Sequence, residues 1–227
     1  MPFADPSPTS YDLNFRLFGI PVRIHPFFWL IAVLLGQSTP APADLAVWVV
    51  AVLVSIVVHE LGHALLQRFW GGRPSIVLYG FGGLAMAPGV RLTPWRQIAI
   101  SLAGPAAGFL LAGVTWLVDP LVGADPRAVF LFVRFLLVIN IFWGVFNLLP
   151  IYPLDGGQVS RELFTMVMRP DRGIVVSLWV SIVCCGVAAA WLFQATGSLW
   201  NTVLLIALAV NNYQTLQAYQ GSRGGYR

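Results

Sequence analysis

Lysine is missing from this 227-residue chain, and charge of either sign is scarce. Charged residues make up 10% of the sequence, against roughly 25% in soluble globular domains, while 58% is hydrophobic and mean hydropathy is +0.78. That balance excludes an ordinary soluble domain and implies a polytopic membrane protein. All thirteen basic residues are arginines, scattered so that no basic block tracks a phosphate backbone, which excludes nucleic acid as a partner. Cysteine is limited to the adjacent pair Cys184 and Cys185 in an apolar run, so no disulfide framework is available to staple the fold. Residues 1–23 lack the basic, apolar and small-residue order of a cleaved signal peptide, and the N-terminus is expected to be retained. No internal repeat and no soluble domain is found.

What the chain does have is apolar runs of membrane length. They lie at about residues 26–36, 45–70, 95–118, 128–149, 174–193 and 199–216; the first is short for the roughly 20 residues of a span, and residues from Ile20 onward are expected to lengthen it. The expected fold is an all-α polytopic membrane protein with about six transmembrane helices and a short β-hairpin after the second. Residues 1–26 form an N-terminal interfacial segment, in which the alternation from Phe15 to Ile24 suggests a short strand or an amphipathic lead-in. Residues 27–216 form the membrane-embedded domain, and residues 217–227 a cytoplasmic tail.

The hairpin is read from Ser75-Ile76-Val77-Leu78-Tyr79 and Leu84-Ala85-Met86, with glycines at 71, 72, 80, 82, 83 and 89 around them. A glycine-rich connecting loop fits the same residues equally well. Sheet edges are not tolerated against lipid, so a hairpin here must line a protein cavity or lie at the interface, where its edge accepts an extended peptide.

Arginine placement gives the orientation. Six spans put both termini on one side, together with Arg16, Arg23, Arg68, Arg73, Arg91, Arg96, Arg161, Arg169, Arg172, Arg223 and Arg227; the other side holds Arg127, with Arg134 just inside the fourth span. By the positive-inside rule the termini and hairpin are cytoplasmic, and the expected location is the cytoplasmic membrane of a bacterium. The second span then runs inward and carries His59 roughly 21 Å into a core about 30 Å thick.

Three ionisable groups interrupt that second span in the order His59-Glu60-Leu61-Gly62-His63. On a helix, positions i and i+4 lie about 40° apart, so His59 and His63 present their imidazoles on one face, as two ligands of one Zn²⁺ would. Glu60 sits where zinc hydrolases of this pattern place the carboxylate that takes a proton from water. A catalytic zinc takes three protein ligands, and among the nine acidic residues only Glu60 and Asp155 combine cytoplasmic-side depth with an apolar or irregular setting. Asp155 is therefore the expected third ligand, on irregular backbone within Pro150-Ile151-Tyr152-Pro153-Leu154-Asp155-Gly156-Gly157, and one Zn²⁺ is expected per chain.

Each residue also has a plainer reading. Two buried histidines can be satisfied by backbone, but a carboxylate in the same apolar turn costs about 2.5–3.5 kcal/mol on an insertion scale, which favours a metal site. Asp155 also suits a turn before two glycines. Asn147 either satisfies backbone at the end of the fourth span or binds substrate backbone. His25 reads as a structural residue at the membrane border, Arg134 as a snorkelling or paired cation, and Asn140 as a bond between helices. A membrane metal-binding or transport protein without hydrolytic activity is the alternative function.

The motif His59-Glu60-Leu61-Gly62-His63, followed by Asn147-Leu148-Leu149-Pro150-Ile151-Tyr152-Pro153-Leu154-Asp155-Gly156, resembles the site-2 protease family of intramembrane zinc metalloproteases. Phe18-Gly19-Ile20-Pro21-Val22-Arg23-Ile24-His25, Phe81-Gly82-Gly83 and Ala103-Gly104-Pro105 are similar to its stage IV sporulation protease-like branch. The resemblance implies cleavage of a transmembrane helix of another membrane protein, with His59, His63 and Asp155 on zinc, Glu60 catalytic and Asn147 holding substrate. It also implies that the hairpin, including Gly82 and Gly83, clamps substrate as a strand. The 84 positions from His63 to Asn147 are filled by the hairpin and two spans, so no PDZ-like domain fits there. Nucleotide-sensing domains after the sixth span are expected to be absent. Substrate identity and oligomeric state are not encoded in these motifs.

Overall fold

A computed structural model describes residues 6–80, 82–86, 92–196 and 199–224. Phe81, Gly89, Arg91 and the last three residues of the expected tail, Arg227 among them, lie outside them. The order is β1 (Leu13–Leu17), β2 (Ile20–Ile24), α1 (Pro26–Leu35), α2 (Pro42–Phe69), β3 (Ser75–Tyr79), β4 (Gly82–Met86), α3 (Pro94–Val118), α4 (Arg127–Asn147), α5 (Asp155–Val167), α6 (Pro170–Thr196) and α7 (Leu199–Gly224), with a 3-10 turn at Asp119–Leu121. Among the described residues four helices are long and apolar enough to cross a membrane: Pro42–Phe69, Pro94–Leu121, Arg127–Asn147 and Pro170–Ala195. The chain is thus a mostly helical integral membrane protein with a small sheet.

Two compact units divide the chain. The first comprises residues 1–91 and 103–145, the second residues 92–102 and 146–227.

In the first unit the expected hairpin, β3–β4, is present with Tyr79 opposite Gly82, and it is half of a larger sheet ordered β1-β2-β3-β4. The lead-in forms the other half. Phe18 and Gly19 both take positive φ, 51° and 79°, closing a tight turn between β1 and β2, and β2 then pairs with β3 in parallel through Val22, Arg23 and Ile24. The segment 6–12 is latched to β2, because Arg23 donates from Nη1 to Asp12 Oδ2 at 2.9 Å and from Nη2 to the Pro6 carbonyl at 2.8 Å. Hydrogen bonds from Thr9, then from Arg23, hold the Asp12 carboxyl down at about 2. Ile20, Val22, Ile24, Ile76 and Leu78 bury one sheet face against Phe28 and Ala32 of α1 and Ala51, Val52 and Ile56 of α2. His25 caps α1, its Nδ1 accepting from the Phe27 N–H at 3.1 Å, in the structural role expected of it.

Polar side chains fix the helices of this unit to one another. Asn140 donates from Nδ2 to Ser55 Oγ at 2.9 Å, joining α4 to α2. Arg127 forks onto Asp44, with Nε to Oδ1 at 3.1 Å and Nη2 to Oδ2 at 2.7 Å, and Arg134 pairs with Asp119 at 2.9 Å. At Gly62 an added Cβ would collide with the Ala103 carbonyl and stand 2.9 Å from Ala107 Cβ, so α2 and α3 touch through bare backbone.

In the second unit α6 and α7 fold back on each other around Cys185, Ala189, Leu205 and Leu208, with Ile151 in the same cluster. Both cysteines are free thiols. The sequence placed Asp155 on irregular backbone; it is instead the first residue of α5, and only residues 148–154 are irregular. Glycines disfavour a helix interior, but the first turn has no intrahelical partners for its N–H groups, and an acidic residue there is favoured by the helix dipole. Residues 217–224, read as tail, continue α7.

Arg127→Gln should lower the unfolding free energy in detergent only slightly, the arginine being largely exposed and its charge screened. The double variant Asp44→Asn, Arg127→Gln should recover part of that loss; equal loss in both would exclude the fork as the cause.

Candidate metal centre

α2 is apolar along most of its length, and its buried polar residues near the C-terminal end recur at 59, 60, 63 and 67. Periodicity alone puts His59, His63 and Gln67 on one face at successive turns. All four are buried. The two Nε2 atoms lie 3.2 Å apart, so the imidazoles converge on a common point, and one donor atom each from His59, Glu60 and His63 fall within 4.8 Å of one another.

Two glycines on other elements shape the space around this group. A Cβ at Gly104 of α3 would collide with His63 Nε2 and stand 2.8 Å from His59 Nε2, so glycine there leaves the region in front of both nitrogens open. A Cβ at Gly83 of β4 would collide with Glu60 Cγ and stand 2.6 Å from Oε1, so the strand backbone lies directly on the carboxylate. Gly82, its neighbour, has only an ordinary approach at 3.4 Å to the Trp143 ring. Gln67 donates from Nε2 to the Ala85 carbonyl at 3.1 Å and so ties β4 to the helix that carries the histidines.

This donor set fits zinc. Two imidazoles with convergent nitrogens and a nearby carboxylate are the ligand chemistry of that ion. Close convergence of two buried histidines with a buried glutamate serves no packing purpose in an apolar helix.

Asn147 and Asp155 lie in the second unit, both buried: Asn147 is the last residue of α4 and Asp155 the first of α5. Gly156 and Gly157 follow for a steric reason, since a Cβ on the first would collide with the Leu148 carbonyl and on the second with the Ile151 and Tyr152 backbone. Sequence reasoning singled out the histidines, the glutamate, Asp155 and Asn147. It read Gly104 only as one of several small residues that permit close helix contact, and gave no role to Gln67. For Gln67 a signal was present, a third polar residue at i+8 from His59; for Gly104 nothing local distinguishes it from a helix-packing glycine.

Comparison with known proteins agrees with this reading. Residues 47–125 and 121–190 match the model of peptidase family M50. A Synechocystis protein provisionally named a zinc metalloprotease is 32% identical over 219 residues, covering 88% of this chain and 54% of its own. A zinc metalloprotease of Methanocaldococcus jannaschii is 30% identical over 160 residues, covering 69% of this chain and 46% of its own. Stage IV sporulation protein FB of Bacillus subtilis is 29% identical over 198 residues, covering 86% and 66%. The chain thus spans about half the length of the first two relatives. Among solved structures, the site-2 protease of Methanocaldococcus jannaschii superposes with a TM-score of 0.64 at 21% identity, over 91% of this chain and 95% of the other, which establishes the shared fold.

Gly104→Ala should abolish stoichiometric zinc in the purified protein, whereas Gly108→Ala, whose Cβ meets nothing closer than 3.4 Å, should retain it. Metal analysis of both variants decides this, and full zinc in Gly104→Ala contradicts the assigned position of the ion.

Proposed function

The chain belongs to peptidase family M50, and on that premise we propose that it is a zinc-dependent intramembrane endopeptidase that hydrolyses a peptide bond in or near a transmembrane helix of another membrane protein. The observation that carries the reading is the convergence of His59, Glu60 and His63 inside a helix apolar enough to cross a membrane. In our reading His59, His63 and Asp155 hold one zinc ion. Zinc bound there supplies Lewis acidity to the reaction. Glu60 takes a proton from the attacking water and delivers it to the departing amine nitrogen as the C–N bond breaks and the new C–O bond forms. Hydrolysis requires such a base beside the metal and simple metal carriage does not, which favours the enzyme over a carrier.

The scissile segment must be extended for its carbonyl to be reached, and β4 offers a means. It ends the sheet order, and among the described residues no strand pairs with its other side. We read β4 as the edge to which substrate adds as a strand, with Gly82 and Gly83 as contact positions and Glu60 beside Gly83. Asn147 serves substrate backbone in the same reading.

In the membrane, α1 and α7 complete a six-helix domain in our proposal. α1 has 10 residues, about 15 Å, half a hydrocarbon core, and α7 carries an apolar run at 203–210. Termini and active site face the cytoplasm. Ion pairing strengthens the arginine argument, because the two arginines assigned to the opposite side are each neutralised by an aspartate.

Glu60→Gln should retain zinc and lose cleavage by about 10³-fold or more, in line with removal of a general base and its proton delivery. Comparative membrane proteomics of cells carrying parent or Glu60→Gln protein should show membrane stubs accumulating only with the variant. Unchanged processing by a correctly inserted, zinc-replete Glu60→Gln protein refutes the assignment.

A further inference from the structure

The irregular segment between α4 and α5 is gripped at one residue. Tyr152 lies three positions before Asp155, and both of its backbone polar groups are bonded by side chains from other helices. Its N–H donates to Ser181 Oγ of α6 at 3.0 Å, and its carbonyl accepts from Asn212 Nδ2 of α7 at 2.6 Å. Those side chains are 1% and 0% exposed. Its ring meets a third element, with the Arg161 guanidinium of α5 lying 5.5 Å from the ring centroid.

Each partner is oriented for this task. Asn212 spends its second N–H on the Leu208 carbonyl at 2.8 Å, so both amide protons are committed to carbonyls. Turning the amide over would aim its oxygen at the same two carbonyls, so the donor orientation is dictated. Oδ1 itself has no hydrogen-bond partner among the described residues. A wholly buried asparagine with one unsatisfied atom is costly, and an apolar residue would pack there more cheaply. Ser181 likewise stands within donating reach of the Pro150 and Ser177 carbonyls, at 3.2 and 2.9 Å.

What these bonds fix is transmitted to Asp155 by rigid links. The Leu154 N–H donates to the Ile151 carbonyl at 2.8 Å, and the Gln158 side chain donates to the Pro153 carbonyl at 3.3 Å. The bare Cα atoms of Gly156 and Gly157 rest on the backbone of residues 148–152, so the first turn of α5 cannot shift without that segment. We propose that Ser181 and Asn212 are positioning residues that clamp Tyr152 from α6 and α7 and so hold Asp155 in place to ligate zinc. The proposal rests on the reading of Asp155 as the third ligand. It gives the two C-terminal helices a part in the metal site, although they contribute no ligand.

The test is zinc affinity of the full chain in detergent, measured by competition with a chromophoric chelator, alongside thermal stability of the metal-free protein. Ser181→Ala and Asn212→Leu should each weaken zinc binding about tenfold, the low end of what loss of a ligand-orienting contact costs. Ser181→Thr, which keeps the hydroxyl, should stay near the parent, as should Asn211→Ala on the same helix. A purely structural role would lower the metal-free melting temperature of Ser181→Ala and leave zinc affinity unchanged, and that result overturns the clamp. If Asn212→Leu fails to fold, the Ser181 pair of variants decides alone. Asp155→Asn separates the layers: parental affinity in that variant refutes Asp155 as ligand, whereas weakened affinity there with parental affinity in Ser181→Ala refutes only the clamp.

Discussion

Ionisable groups inside an apolar helix persist only where something compensates for the water they have lost. In this protein His59, Glu60 and His63 are buried in α2, a helix otherwise suited to lipid, and the surrounding elements are built to that fact. Glycine at 62 lets α3 approach α2 at backbone contact, glycine at 104 keeps α3 from filling the space before the imidazoles, and glycine at 83 brings the β4 backbone onto the carboxylate. Each omits a single carbon, and each omission is next to the same turn of helix. Gln67 then ties β4 to that helix one turn further on. These contacts are the means by which a very apolar sequence keeps three ionisable side chains together inside a helix apolar enough to cross a membrane.

The proposed ligands stand on two kinds of backbone. The first is a regular helix bearing a base and two imidazoles, where spacing alone determines geometry. The second supplies a carboxylate from the start of a short helix, reached through seven irregular residues. Irregular backbone has no internal ladder to hold it, so its precision must come from outside. Side chains of α6 and α7 provide that restraint at Tyr152, and glycines at 156 and 157 provide it by direct backbone contact.

Much of this was legible in the residues themselves. Four of the six expected membrane helices, the histidine face of α2, the β3–β4 hairpin and the Asn140 bond between helices followed from hydropathy, period and spacing. The four-stranded sheet did not, because β2 and β3 pair in parallel across about fifty residues that include two helices, and short alternating runs carry no record of distant partners. The helical start at Asp155 was hidden by its two glycines, which read as breakers until the backbone pressing on them is seen. Gly104 and Ser181 were opaque for the same reason: their roles are set wholly by atoms remote in sequence.

The central claim is that two histidines and a carboxylate from separate parts of the chain hold one zinc ion. X-ray absorption at the zinc edge on the purified protein tests it directly. The account predicts a first shell of nitrogen and oxygen at about 2.0–2.2 Å with two imidazole signatures. A shell containing sulfur at about 2.3 Å, or a single imidazole, would contradict it.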